Sequence, residues 1–258
     1  MHIVQRGHNR NPSFLQDKDR ELYLGLLEEF RGTYKCSIHA FVLMTNHVHL
    51  LLTPREEGAV SNLMRRLGMK FVSTMNRRYG RTGSGWEGRF WSSLVDSRSY
   101  LLTCHRYIEL NPVRAGLVKR PERYRWSSHT HNSYGAPLPF IEPHPEYLAL
   151  AADEDKRRSA YRRLFATPIA DQEMERIRAA LRSNLPIGSE EFLSDLQQRL
   201  GRPMTRQRAG RKAAREVQLM QEVTKSDCDP NCSIQNGTAS PVSVFRPPAC
   251  SPRRKPSG

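Results

Sequence analysis

Cys36-Ser37-Ile38-His39-Ala40-Phe41-Val42-Leu43-Met44-Thr45-Asn46-His47-Val48-His49-Leu50-Leu51-Leu52-Thr53 decides the fold. The segment from Cys36 to Met44 is apolar and β-prone, Thr45-Asn46 makes a tight turn, and His47 to Thr53 reads as the returning strand. Pro54 ends it, because proline has no N–H to give a ladder. Successive side chains of a strand point to opposite faces. Val48, Leu50 and Leu52 therefore share a face that can bury against helices, while His47 and His49 stand side by side on the other.

Outward from this hairpin, Ile3 to Gly7 reads as a short strand. A helix fits residues 17–32, with Leu22, Leu26, Leu27 and Phe30 at helical spacing and Asp17 and Asp19 where acidic groups suit the helix dipole. A second helix fits 59–79, carrying Val60, Leu63, Leu67, Phe71 and Met75. Residues 80–88 are a polar, glycine-rich loop, 90–95 a fourth strand, and 97–110 a third helix. The order is strand, helix, strand, strand, helix, strand, helix. An α+β, ferredoxin-like antiparallel sheet with helices packed on one face explains it economically.

The predicted division is a core over 1–130, a helical appendage over 131–200 and a basic, disordered tail over 201–258. Pro-rich loops are expected over 121–145, and Arg-rich helices over 146–165 and 171–200.

Among 258 residues, 41 Lys and Arg oppose 26 Asp and Glu, a formal charge of +15. That excess argues against an ordinary metabolic enzyme and for a polyanion partner, most often nucleic acid. Residues 201–258 hold 11 Lys/Arg and 4 Asp/Glu, so +7 belongs to the tail and +8 to the body. No stretch approaches the roughly 18 apolar residues of a membrane span, and no secretory signal is visible. The five cysteines include one close pair, Cys228 and Cys232, without a second pair to complete a zinc site. They read as reduced cysteines of a cytoplasmic protein, nucleoid-associated when it holds DNA.

Two imidazoles side by side suit two ligands on one metal ion; by itself the pair can equally be two ordinary strand histidines. Some sixty residues on stands Arg106-Tyr107-Ile108-Glu109-Leu110-Asn111-Pro112-Val113-Arg114-Ala115-Gly116. Tyr107 and Asn111 are four apart and share a face if the helix reaches Asn111, which Pro112 should make its end. Alone, these would be a core aromatic and a cap. Combined with the histidines they suggest a metal that polarises a phosphate and a tyrosine hydroxyl that attacks it. Asn111 would add a neutral oxygen ligand, and phosphate and water would complete an octahedron suited to Mg²⁺ or Mn²⁺.

The His-hydrophobic-His strand, the Tyr107–Ala115 segment, Asn9-Arg10, Thr45-Asn46-His47 and Gly88-Arg89-Phe90-Trp91-Ser92 together resemble the single-tyrosine HUH transposases, and among them the REP-associated tyrosine transposases of bacteria. The resemblance spans roughly residues 2–130. It implies a nuclease core that nicks single-stranded or hairpin DNA, leaving a 5′-phosphotyrosine and a free 3′-hydroxyl. It makes Tyr107 the nucleophile, His47 and His49 metal ligands, and Asn111 a third ligand. The protein would work as a monomer, or as a homodimer that exchanges tyrosine helices. That family has a short basic segment before the first strand, whereas this sequence opens with Met1-His2-Ile3. Two other readings remain: a nucleic-acid-binding regulator without activity, and a metal-dependent nuclease that uses water.

Tyr100, two turns before Tyr107, is the rival nucleophile. Arg65, Arg66, Lys70, Arg77 and Arg78 form a basic stripe that can follow a DNA backbone or simply be solvated. Trp86 in the polar loop is the stacking candidate for unpaired bases, with Phe90 assigned to the core. Arg89 contacts a phosphate or pairs with Glu87. Arg114 positions DNA or holds the turn, and Glu109 touches the metal or, the preferred reading, faces solvent.

Overall fold

The computed structural model describes residues 1–204; the expected disordered tail beyond them, with Cys228, Cys232 and Cys250, lies outside the described residues. Four strands, β1 (His2–Arg6), β2 (Cys36–Leu43), β3 (His47–Pro54) and β4 (Trp91–Ser93), form one antiparallel sheet in the order β2-β3-β1-β4. Two helices, α1 (Asp17–Thr33) and α2 (Ala59–Tyr79), supply the crossovers. This is the ferredoxin-like plan. The fourth strand is shorter than the apolar run around it suggests.

The hairpin is closed by the Met44 N–H donating to the His47 carbonyl, 2.9 Å. Val48, Leu50 and Leu52 are fully buried with Tyr23, Leu27, Leu63, Leu67 and Phe71 of α1 and α2. Each such side chain contributes about 1.5–3 kcal/mol by leaving water. Asp19 does more than suit a dipole. Its carboxylate is fully buried, accepts from the Leu15 and Gln16 N–H groups at the start of α1, and takes hydrogen bonds from Tyr79 and Arg78 at the end of α2. Burial alone would raise its pKa, but these donors hold it below the usual carboxylate value.

The opposite face is covered as well. There α3 (Ser97–Glu109) packs Leu101, Cys104, Tyr107 and Ile108 against Ala40, Val42 and Leu51. α3 ends one cap residue before Asn111-Pro112, and a separate turn, α4 (Asn111–Arg114), carries Pro112 at its start; Gly116, at φ +70°, follows it. Residues 131–200 contribute to the same compact unit. They include most of α5 (His129–Tyr134), then α6 (Pro145–Leu148), α7 (Glu154–Leu164), α8 (Asp171–Ser183) and α9 (Glu190–Leu200). The two Arg-rich helices predicted over 146–165 and 171–200 are thus four shorter ones. Ile177 and Leu181 of α8 join the core on this second face. Asn184, left-handed at φ 51°, accepts from the Ser92 N–H, and Ile187 bonds to Leu94 and Asp96, so the edge of β4 is covered. Among the described residues no helix is long and apolar enough to cross a membrane.

Candidate active site

The site stands on the α3 face of the sheet. β1 pairs with β3 so that Val4 lies opposite His49, Arg6 opposite His47 and His2 opposite Leu51. The period of two therefore puts His2, Arg6, His47 and His49 on one surface. The His47 and His49 rings are 5.1 Å apart between centroids.

Each ring is held through Nδ1. His47 Nδ1 is 2.8 Å from Asn46 Oδ1, and His49 Nδ1 is 2.8 Å from His2 Nε2. Asn46 is fixed in turn: its amide donates to the Arg10 carbonyl and its carbonyl accepts from the Gly7 N–H. A Cβ on Gly7 would come within 2.4 Å of the Asn11 carbonyl, so that turn needs glycine. Asn9 and Arg10 of the same turn are left-handed, at φ 52° and 59°.

The tyrosine helix completes the arrangement. The Tyr107 ring lies edge-on to His49 at 5.9 Å and to His2 at 5.8 Å. Asn111 places its amide 3.0 Å from His49 Nε2. Arg114 stacks over Tyr107, its guanidinium carbon 4.2 Å from the ring centre, and donates to the Tyr107 carbonyl at 2.6 Å. Tyr100 instead packs in the core under Arg176.

All three imidazoles are held neutral. Burial, aided by the charge of Arg6, lowers His47 to about 4, and burial lowers His2 to about 3. His49 falls well below the ordinary value through burial and through its neighbours His2, His47 and Arg114. Neutral imidazole is the form that binds metals.

The donor set fits a divalent ion in a limited way. Among the described residues no cluster of three or more His, Cys, Asp or Glu is arranged for a metal. With each Nδ1 engaged, Nε2 is the ring nitrogen left to His47 and His49, and that of His49 faces the Asn111 amide nitrogen.

Other expectations are redistributed. Arg65, Arg66, Lys70 and Arg77 are exposed on α2, with Arg66 over the Phe30 ring. Arg78 is not a free cation, because it pairs with buried Asp19. Trp86 is not an exposed stacking platform. It is 5% exposed, stacked on Phe71, because an isolated bridge to Gly7 returns the polar loop to the core. Arg89 is exposed, and Glu87 pairs with Arg6 instead. Arg6 also lies 4.9 Å above the half-buried Trp91 ring. A groove of about 1020 Å³ runs between α2 and residues 84–92, lined by Arg65, Arg89, Phe90 and Trp91 among others. Glu109 does not face solvent; it is fully buried and accepts from Ser128, His129, Asn132 and Tyr161.

Sequence reasoning missed His2 and Arg6. Their signal is the β1–β3 register, which no local pattern reveals.

No curated relative matches the chain. A solved REP-associated tyrosine transposase bound to a REP hairpin aligns with 55% of this chain and 90% of its own, at 18% identity and a TM-score of 0.44. Residues 1–111, which contain the four strands, both histidines, Tyr107 and Asn111, match the family model described as "Transposase IS200 like", and over that span the chain is similar to the IS200-like transposases.

Proposed function

We propose that this chain is a transposase that cleaves and rejoins single-stranded DNA at hairpin-forming repeats through a 5′-phosphotyrosine on Tyr107. The family match supports the transposase role. One observation carries the chemistry: in a single chain, the Tyr107 ring sits against His49 and beneath Arg114, beside a second strand histidine.

In the proposed reaction Tyr107 Oη attacks the scissile phosphorus. The tyrosine proton passes to water, the bond from phosphorus to the 3′ oxygen of the preceding nucleotide breaks, and that oxygen takes a proton from water to leave as a 3′-hydroxyl. The phosphodiester is exchanged for a phosphotyrosine, so a second 3′-hydroxyl can reverse the step and join a new strand. Arg114 opposes the negative charge that develops on the attacking oxygen. His47, His49 and Asn111 would hold Mg²⁺ or Mn²⁺, which when bound supplies charge stabilisation at the phosphate. Nucleophile and ligands come from one chain, so a monomer contains a whole site. The strand would leave the site past Arg6 and Trp91 into the groove, where Trp91 and Phe90 offer faces for unpaired bases and Arg65 and Arg89 oppose phosphates.

The test is a denaturing gel of protein with labelled single-stranded hairpin DNA and Mn²⁺. A covalent adduct with the wild type that disappears in Tyr107→Phe, with DNA binding retained, is expected. Cleavage without an adduct would favour a water nucleophile, and binding without cleavage a regulator.

A further inference from the structure

We propose that His2 is a positioning residue that sets the tautomer of His49 and so aims its Nε2 lone pair into the site; this rests on the proposed ligand role of His49. His2 lies on β1 diagonally across from His49, two residues from its direct partner Val4. A diagonal pair lies beyond the reach of short side chains, but two imidazoles can span it. They do so here with His2 Nε2 2.8 Å from His49 Nδ1. Both residues are buried, at 1% and 5% exposure, so water cannot take over the contact.

The proton between them can sit on one nitrogen only. If His49 Nδ1 carries it and donates to His2, then Nε2 of His49 bears a lone pair, as a metal ligand must. If His2 donates instead, His49 carries its proton on Nε2 and cannot ligate. The Asn111 amide faces the same Nε2 at 3.0 Å, as a donor does toward a lone pair. The pattern on His47 is the same in outline: Asn46 Oδ1, which can only accept, receives its Nδ1 proton. His2 would be to His49 what Asn46 is to His47. His2 Nδ1 is buried with no hydrogen-bond partner among the described residues. An unpartnered buried polar atom costs free energy. Leucine or valine would fill the space without that cost.

The experiment has two arms on the full chain. In the metal-free wild type, ¹⁵N-resolved histidine spectra should show His49 protonated at Nδ1 and His2 at Nδ1; a His49 protonated at Nε2 overturns the proposal. In the second arm Mn²⁺ alone is the probe, and its binding is read from the loss of the free-ion paramagnetic resonance signal. His2→Phe, which keeps a buried ring but no acceptor, should weaken Mn²⁺ binding about 10–100-fold. His2→Gln, whose amide oxygen can reach the same point, should recover most of it. Wild-type affinity in His2→Phe overturns the proposal even though His49 binds metal. A wild type that binds no Mn²⁺ instead sinks the metal reading of the site, and the tautomer spectra then judge His2 by themselves.

Discussion

Two polar clusters hang from the same helix, two residues apart. Side chains at i and i+2 face away from each other on a helix, so Tyr107 and Glu109 look into different surroundings. The Glu109 cluster is closed. Oε1 accepts from Ser128 at 2.6 Å and Asn132 at 2.8 Å, and Oε2 from Tyr161 at 2.8 Å and His129 at 3.0 Å. Burial alone would raise the Glu109 pKa, yet the bond to His129 and its companions keeps it below the ordinary carboxylate value. The Tyr107 cluster is open. It has three neutral imidazoles, one neutral amide, a buried guanidinium nitrogen of Arg114 without a partner among the described residues and the orphan His2 Nδ1. The Glu109 carboxylate is satisfied by the fold itself. An unmatched guanidinium nitrogen next to a tyrosine is what an incoming phosphate would satisfy, and imidazole lone pairs are what a metal ion would.

The contrast breaks most sharply if Tyr107→Phe and Glu109→Ala behave alike. Tyr107→Phe removes one hydroxyl and should abolish the adduct on a denaturing gel while changing stability by less than about 1 kcal/mol. Glu109→Ala should do the opposite. It strands buried donors on α5 and α7 and should cost about 3–5 kcal/mol, measured by denaturant unfolding. Any protein that remains folded should still form some adduct. If Glu109→Ala kills the adduct at full stability, the closed cluster belongs to the chemistry and the distinction fails.

The next effect is a pH slope. His105, on the Glu109 side of α3, is 1% exposed and touches Tyr161 at 3.2 Å; burial lowers it to about 4. Its folded pKa lies below its unfolded one of about 6.5. Between those values the unfolded chain binds a proton that the folded chain refuses, so stability is full above the upper value and declines as pH falls toward the lower. This residue should contribute a slope of up to about 1.4 kcal/mol per pH unit in that window. Unfolding curves at several pH values should show a shallower dependence in His105→Leu than in the wild type. An unchanged slope would mean that His105 accepts its proton while folded.

These clusters also mark where the sequence stops being readable. α2 was legible because Val60, Leu63, Leu67, Phe71 and Met75 repeat at helical spacing and all are buried. The hairpin was legible because alternation in β3 separates Val48, Leu50 and Leu52 from His47 and His49. α5 was not, since its six residues, His-Thr-His-Asn-Ser-Tyr, have no apolar period. Its buried His129 and Asn132 bond to Glu109, twenty or so residues earlier, and Ser133 contacts His129, and such a debt leaves no local pattern. Trp86 reads as exposed because it stands in the polar loop Ser84-Gly85-Trp86-Glu87-Gly88, whereas a backbone bridge to Gly7 carries it inward. Tyr107 and Asn111 could be paired by helical spacing, but their approach to His49 depends on how α3 lies across the sheet.

The smallest effect tests which cluster owns Arg114. Its guanidinium covers the Tyr107 ring, and its Nη2 donates to the Tyr107 carbonyl in the last turn of α3. Burial lowers its pKa from the ordinary arginine value, and the tyrosine beneath favours its charged form. A cation over an aromatic face is worth about 0.5–2 kcal/mol, according to how far both are dehydrated. If that charge also stabilises the developing phenolate, Arg114→Ala should slow adduct formation about tenfold, the equivalent of about 1.4 kcal/mol. Arg114→Lys should fall between, because lysine restores the charge but not the planar stack. Adduct rates at saturating Mn²⁺ and DNA, set beside unfolding free energies, decide the matter. A slower rate at nearly unchanged stability places Arg114 with the open cluster. Lost stability with an unchanged rate would make it a clamp on the end of α3, and the charge opposing the attacking oxygen would have to come from elsewhere.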